Sequence, residues 1–102
     1  MADSRILLVD KVTANIPLIR GTTPALVANV MRAGWSIQNQ GTNVLYVRLG
    51  TAASTSLFHF TLKAGAANDD GTGGSISQTE GVIYVGIISI AGTSPRFTVM
   101  EL

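Results

Sequence analysis

Apolar and polar residues alternate with a period of two along much of the chain, the spacing of β-strands that bury one face and expose the other. The clearest alternation runs over Trp35–Asn39 and again over Val44–Leu49, with Gly41 in the turn between them. We expect these two segments to form a β-hairpin. Further strand signals lie at Ile6–Val9, Leu57–Ala64, Ser75–Thr79 and Arg96–Leu102.

The segment Val82–Ala91 differs from these strands because it is apolar on both faces. A strand of this kind is stable only when both faces are covered. The cover is either a neighbouring copy of the chain or the chain's own N-terminal segment. In the first case the candidate oligomer interface consists of Ile83, Val85 and Ile87.

The segment from Thr23 to Gly34 has two interpretations. As a helix it would have Thr23 as N-cap, Pro24 as first helical residue and Gly34 as its end. As a strand it would cover Leu26–Ala28 and turn around Asn29. Local signals favour the helix slightly.

Turn signals separate all of these segments, so the pattern predicts an all-β fold. We expect a single domain over residues 1–102, a β-sandwich or jelly-roll of about seven or eight short antiparallel strands. Residues 1–20 form either an N-terminal arm or an edge strand of this domain.

Composition indicates a chain that does not act alone in water. Charged residues make up 13% of it and hydrophobic residues 46%, whereas an ordinary soluble domain has roughly 25% charged residues. The formal net charge is +1 and the basic residues are scattered singly, which argues against nucleic-acid binding. The chain has no Cys, no signal-peptide core and no apolar run of membrane-spanning length. We therefore expect synthesis in a cytoplasm and association into oligomers.

The candidates for chemistry are few, and each has a plainer interpretation. His59 is the only histidine, and its strand neighbours supply no nucleophile or orienting group. Asp69 and Asp70 lie in a Gly-rich loop, where Asx turns explain them as well as a metal site does. Gly71–Gly74 precedes a strand signal rather than the helix that a phosphate loop needs. We expect no enzyme activity, no cofactor and no metal, with the Asp69–Asp70 loop left open.

Five stretches carry a resemblance, namely RAGWSIQNQGTNVLYVR (32–48), LGTAAST (49–55), FHFTLKAG (58–65), DDGTGGS (69–75) and AGTSPRFTV (91–99). Together they resemble a pattern of small structural proteins of tailed bacteriophages. The resemblance implies a virion component with a β-sandwich or jelly-roll fold, most commonly a head decoration (cement) protein or part of a fibre or tail. It also favours the strand interpretation of Leu26–Ala28.

From this resemblance we expect a homotrimer that binds the major capsid protein and stabilises the head by bridging capsid subunits, with Ala2–Arg20 as a candidate contact arm. The alternative is a fibre or tail component, or a carbohydrate-binding module that displays exposed aromatic residues. A buried Trp35 would argue against the carbohydrate-binding alternative, because its ring could not stack on a sugar.

Overall fold

Seven β-strands account for the regular structure of residues 24–102, the part of the chain that the computed structural model describes. This part contains no helix, so the predicted all-β class is confirmed. The strand predicted at Ile6–Val9 and the arm predicted at 1–20 lie outside the described residues. The strands are β1 (Pro24–Leu26), β2 (Trp35–Asn39), β3 (Leu45–Leu49), β4 (Phe60–Leu62), β5 (Ser75–Gln78), β6 (Ile88–Ala91) and β7 (Phe97–Glu101).

Two antiparallel sheets pack face to face in a sandwich-like arrangement. One sheet has the strand order β1-β6-β3-β4, and the other has the order β5-β2-β7. Every second residue of β2 and of β7 is buried, as the alternation predicts. The core side chains between the sheets are Leu26, Trp35, Ile37, Leu45, Val47, Leu62, Ile88, Ile90, Phe97 and Val99.

The predicted hairpin of β2 and β3 is wrong, although both strands exist. β2 pairs with β5 and β7, whereas β3 pairs with β4 and β6 in the opposite sheet. The buried side chain of Asn39 holds the crossing: its Nδ2 donates to the carbonyl of Asn43 at 2.9 Å, and its Oδ1 accepts from the amide of Gly41 at 2.9 Å. The turn therefore carries the chain from one sheet to the other.

The helix interpretation of residues 23–34 is also wrong, since Pro24–Leu26 is a strand that pairs with β6. In a helix the carbonyl of Val27 would accept from the amide four residues later. Here it accepts from Arg32 Nη2 at 2.6 Å instead. The Met31 amide donates to Asn29 Oδ1 at 3.0 Å, which fixes a turn.

The long strand predicted over Val82–Ala91 is reduced to β6, which starts at Ile88. β6 is buried on both faces, and part of its outer cover comes from the chain itself. The Ser89 hydroxyl accepts from the Ala53 amide at 3.0 Å and donates to the Gly50 carbonyl at 2.7 Å. The loop that follows β3 therefore covers the outer face of β6 at this position.

Close backbone contact fixes the loop before β5. A Cβ atom added at Gly73 would lie 2.1 Å from the carbonyl oxygen of Asn39, a distance that no side chain tolerates. Gly71, two residues earlier, has open space around it and a φ of +79°. Gly73 is therefore required because a side chain would not fit, whereas Gly71 is favoured because of its left-handed backbone conformation.

We expect Gly73→Ala to destabilise the protein by about 2 kcal/mol more than Gly71→Ala, because only the first substitution overpacks the backbone of β2. Gly71→Ala should cost about 1 kcal/mol, through its left-handed φ alone. Urea unfolding of the two variants beside the parent chain measures both losses. Equal losses would show that the contact at Gly73 relaxes freely.

Candidate functional site

The strand register defines two ends of the sandwich. Leu26 and Leu49 both pair with Ile88, so β1 and β3 end where β6 begins. In the other sheet, Trp35 pairs with both Gln78 and Glu101, so β2 begins where β5 and β7 end. The loops 27–34, 50–59 and 79–87 therefore lie at one end, and the loops 40–44, 63–74 and 92–96 lie at the other.

The end formed by loops 27–34, 50–59 and 79–87 exposes large apolar side chains, and we call it the apolar end. Its charged residues are Arg32, which is buried, and Glu80. Val44 is the only large hydrophobic residue exposed in the described loops of the other end. The exposed large side chains of the apolar end include Val27 (70%), Val30 (82%), Met31 (84%), Leu57 (45%) and Val82 (90%).

The side chain of Arg32 organises this end, although it is hidden from solvent. Its Nε donates to Glu101 Oε2 at 2.8 Å, and its Nη2 donates to the Val27 carbonyl at 2.6 Å. Its Nη1 donates to the carbonyls of Tyr84 and Gly86, each at 3.0 Å. One guanidinium thus joins β7 to the segments that follow β1 and precede β6.

A buried charge of this kind is stable only when it is paired and its donors are satisfied. The planar guanidinium can direct several donors at once, which a lysine ammonium cannot do with the same geometry. A backbone bond from the Asn29 amide to the Val85 carbonyl, at 2.8 Å, adds to the connection. The exposed side chains of Val27, Val30 and Met31 therefore lie on a loop, 27–34, whose backbone is connected to the domain by hydrogen bonds.

Arg32→Lys should destabilise the protein by about 3–5 kcal/mol, because it leaves buried acceptors unpaired. Hydrogen exchange at the Asn29 amide should accelerate more than exchange at the Ile37 amide in the centre of β2. The reason is that the loop 27–34, which Arg32 holds, then opens locally without global unfolding. Glu101→Gln is the comparison, because it keeps the three carbonyl bonds of Arg32. A smaller effect from Arg32→Lys than from Glu101→Gln would contradict this assignment.

At the opposite end, polar side chains order the loops through hydrogen bonds to one another and to the backbone. The Arg96 guanidinium forms a salt bridge with Asp69 and donates from Nε to Asp69 Oδ1 at 2.9 Å. Asp70 accepts from the Thr72 hydroxyl at 2.6 Å and from the Ala67 amide at 3.0 Å. Within residues 24–102, no group of three or more metal-ligating side chains comes together.

These bonds lower the pKa of both aspartates. The hydrogen bond from Arg96 is the main cause at Asp69, and the hydrogen bond from the Thr72 hydroxyl is the main cause at Asp70. A carboxyl whose pKa is lower in the folded state stabilises the fold above its unfolded pKa. That stabilisation disappears as the pH falls through the folded-state pKa.

We therefore expect the thermal midpoint to decline below about pH 4 and to decline less steeply in the double variant Asp69→Asn/Asp70→Asn. Asparagine tolerates the left-handed backbone that Asp69 adopts, with φ 61°, so the loop keeps its shape. Thermal unfolding followed at low salt over this range measures the slope. A double variant with the parent's slope would assign the acid sensitivity to other carboxyls.

The remaining candidates for chemistry have structural partners. His59 Nδ1 accepts a hydrogen bond from the Leu49 amide at 2.9 Å, at the end of β3. Gly71–Gly74 leads into β5 and not into a helix, so the strand predicted after this loop is confirmed. These residues are not brought together into one site.

The candidate oligomer interface of Ile83, Val85 and Ile87 lies in an irregular segment and not on a strand. All three residues are partly buried, and Ile83 packs against the core. The carbonyls of Tyr84 and Gly86 accept hydrogen bonds from Arg32 and not from a neighbouring strand, which agrees with the start of β6 only at Ile88. The contact of these three residues with another copy stays a prediction.

The aromatic residues do not form a stacking platform. Trp35 is 1% exposed, and its Nε1 donates to Gln78 Oε1 at 2.8 Å. Phe97 is fully buried. Phe58 is exposed beside Tyr46, but the two rings are tilted by 57° and present no common face.

Sequence reasoning did not identify Arg32, Glu101 or Asn39 as organising residues. A signal was present for two of them. Glu101 alternates with Phe97 and Val99 on the inward side of β7, and Asn39 alternates with Trp35 and Ile37 on the inward side of β2. A polar residue at an inward strand position needs a buried partner.

The strand topology and the two groups of loops define a small antiparallel β-sandwich with one apolar end and one polar end. Comparison of the chain with protein-family models, with curated proteins and with solved structures finds no match in any of the three. Among residues 24–102, no helix has the length and hydropathy needed to cross a bilayer. The resemblance to phage structural proteins therefore rests on the residues quoted for it.

Proposed function

We propose that this protein is a decoration (cement) protein of a tailed bacteriophage, which assembles as a homotrimer and bridges subunits of the major capsid protein. The observation that carries the proposal is the apolar end, where Val27, Val30, Met31, Leu57 and Val82 are exposed. Exposed apolar surface gathered at one place indicates a protein contact. The resemblance of the sequence to phage structural proteins supplies the kind of contact.

The energetics suit repeated, individually modest contacts. Full burial of one Val, Leu or Met side chain contributes about 1.5–3 kcal/mol, while association costs about 4–15 kcal/mol in lost freedom of motion. Five such side chains contribute about 7.5–15 kcal/mol together, which is comparable with that cost. Trimerisation and attachment to a repeating shell multiply the contacts made by each particle, which gives high avidity from weak sites.

The hydrogen bonds that hold the backbone of the apolar end support the same function. A contact surface binds more tightly when its backbone is fixed beforehand, since less motion is lost on binding. Arg32 fixes the segment that displays Val27, Val30 and Met31 through bonds to three backbone carbonyls and one carboxylate. The buried ion pair of Arg32 and Glu101 thus lies at the end that we assign to assembly.

The carbohydrate-binding alternative lacks the feature that it requires. Such a module displays an aromatic face beside polar groups, and the only Trp is 1% exposed. The polar end combines Asn43, Asp69 and Asp70 but has no aromatic residue in its loops 40–44, 63–74 and 92–96. A fibre or tail location remains the alternative that the fractionation below distinguishes.

Light scattering on the purified chain should give three times its 10.7 kDa mass. Val82→Asp and Val30→Asp should reduce this mass or weaken capsid binding about tenfold or more, because burying an unpaired carboxylate is costly. Both side chains are exposed, so thermal stability should stay close to the parent's. Val44→Asp is the matched control, since Val44 is exposed at the opposite end.

In fractionated phage particles the chain should accompany heads. Its presence with tails alone would replace the decoration role by the tail or fibre role. A stable monomer that binds neither fraction would overturn the proposal, and an equal effect of Val44→Asp would show that the apolar end has no special part in assembly.

A further inference from the structure

His59 lies where the loop 50–59 returns to the sheet, one residue before β4. Its backbone amide donates to the Val47 carbonyl at 2.8 Å, and its Nδ1 accepts from the Leu49 amide at 2.9 Å. The imidazole thus supplies an acceptor to the last residue of β3, beyond the point where β4 pairs with β3. One residue therefore attaches the end of the loop to β3 through both its backbone and its side chain.

The first half of this loop is held by groups that do not titrate near neutral pH. The Ala53 amide donates to the Ser89 hydroxyl at 3.0 Å, and that hydroxyl donates to the Gly50 carbonyl at 2.7 Å. The second half carries the exposed Leu57 and returns to β3 through His59. The two halves of the loop are therefore attached by different chemistry.

The hydrogen bond at Nδ1 requires one protonation state of the His59 ring. A backbone N–H only donates, so the nitrogen that faces it must keep a free lone pair, and the ring proton is then at Nε2. A proton at Nδ1 would set two N–H groups against each other. Because histidine changes its charge between about pH 5 and 8, the bond is present with the neutral ring and is lost as the pH falls.

The described elements around His59 offer a charged imidazole no new partner. Those that meet there are β3, β4, β6 and the loop 50–59, and the one other charged residue in them is Arg48. Lys63, which follows β4, is also a cation. None of these elements has a carboxylate, so no ion pair within them would replace the lost bond to Leu49.

We propose that the hydrogen bond between His59 and Leu49 is a pH-dependent attachment of the loop 50–59. The neutral imidazole holds the loop at the end of β3, and its protonation releases residues 56–59. The release is local, because the pairing of β3 with β6 and the bonds of Ser89 do not involve the imidazole. This inference does not depend on the proposed function, because it concerns hydrogen bonds within one chain.

Amide hydrogen exchange followed by NMR tests this attachment. After correction for the intrinsic effect of pH on exchange, protection of the Leu49 amide should fall about threefold to tenfold between about pH 8 and about pH 5. The Ile37 amide, in the centre of β2, should keep its protection over this range. The Leu49 amide resonance should shift with the same midpoint as the ring protons of His59.

Two substitutions of His59 form a matched pair. His59→Asn places an amide oxygen close to the position of Nδ1 and does not titrate, so the Leu49 amide should stay protected at both pH values. His59→Gln places its oxygen farther out, near the position of Nε2, so the Leu49 amide should be poorly protected at both. The side chain is exposed, so both variants should keep a thermal stability close to the parent's.

Three results would overturn the proposal. Protection of Leu49 that does not change with pH in the parent chain would show that the bond is not pH-dependent. An equal fall at Ile37 would assign the change to a global loss of stability, and a His59→Gln variant with the parent's response would assign it to another group. The particle mass from light scattering tests the proposed function separately.

Discussion

The burial of one guanidinium is the constraint on which the rest of this structure depends. Arg32 has no access to water, so each bond that it makes must come from the protein. It takes the carbonyls of Val27, Tyr84 and Gly86 and the carboxylate of Glu101. Carbonyls used in this way are withdrawn from strand ladders, and β1 and β6 accordingly end and begin beside them. The end of β1 and the stretch before β6 are thus joined through one side chain.

The two ends of the sandwich show two ways of ordering loops. At the polar end, Asn39, Asp69 and Asp70 distribute many hydrogen bonds over neighbouring backbone groups, and little apolar surface is exposed. At the apolar end a single buried residue orders the backbone from within. The side chains that point outward are therefore not needed to order these loops, and they include the exposed Val30 and Val82. The described loops of the apolar end accordingly contain only two charged residues, Arg32 and Glu80.

Sequence patterns predicted what depends on local chemistry. The alternation in β2, β3 and β7 gave the correct buried faces because each strand has one side against the core. The pairing of β2 with β3 could not be predicted, since a hairpin and a crossing between sheets bury the same alternate residues. The extent of β6 was overestimated because apolarity alone does not reveal that Arg32, 52 residues before Tyr84 in the chain, takes its carbonyl. Long-range competition for backbone acceptors leaves no local signal.

Two surfaces of residues 24–102 differ in how association through them would end, namely the edge of β7, which is unpaired within these residues, and the apolar end. Strand addition at an open edge is self-propagating, because every added strand offers a new edge. Contact through an apolar end stops when that end is covered. Association through the apolar end alone is confined to one end of each copy, which is the condition for a closed oligomer of fixed size rather than a fibre.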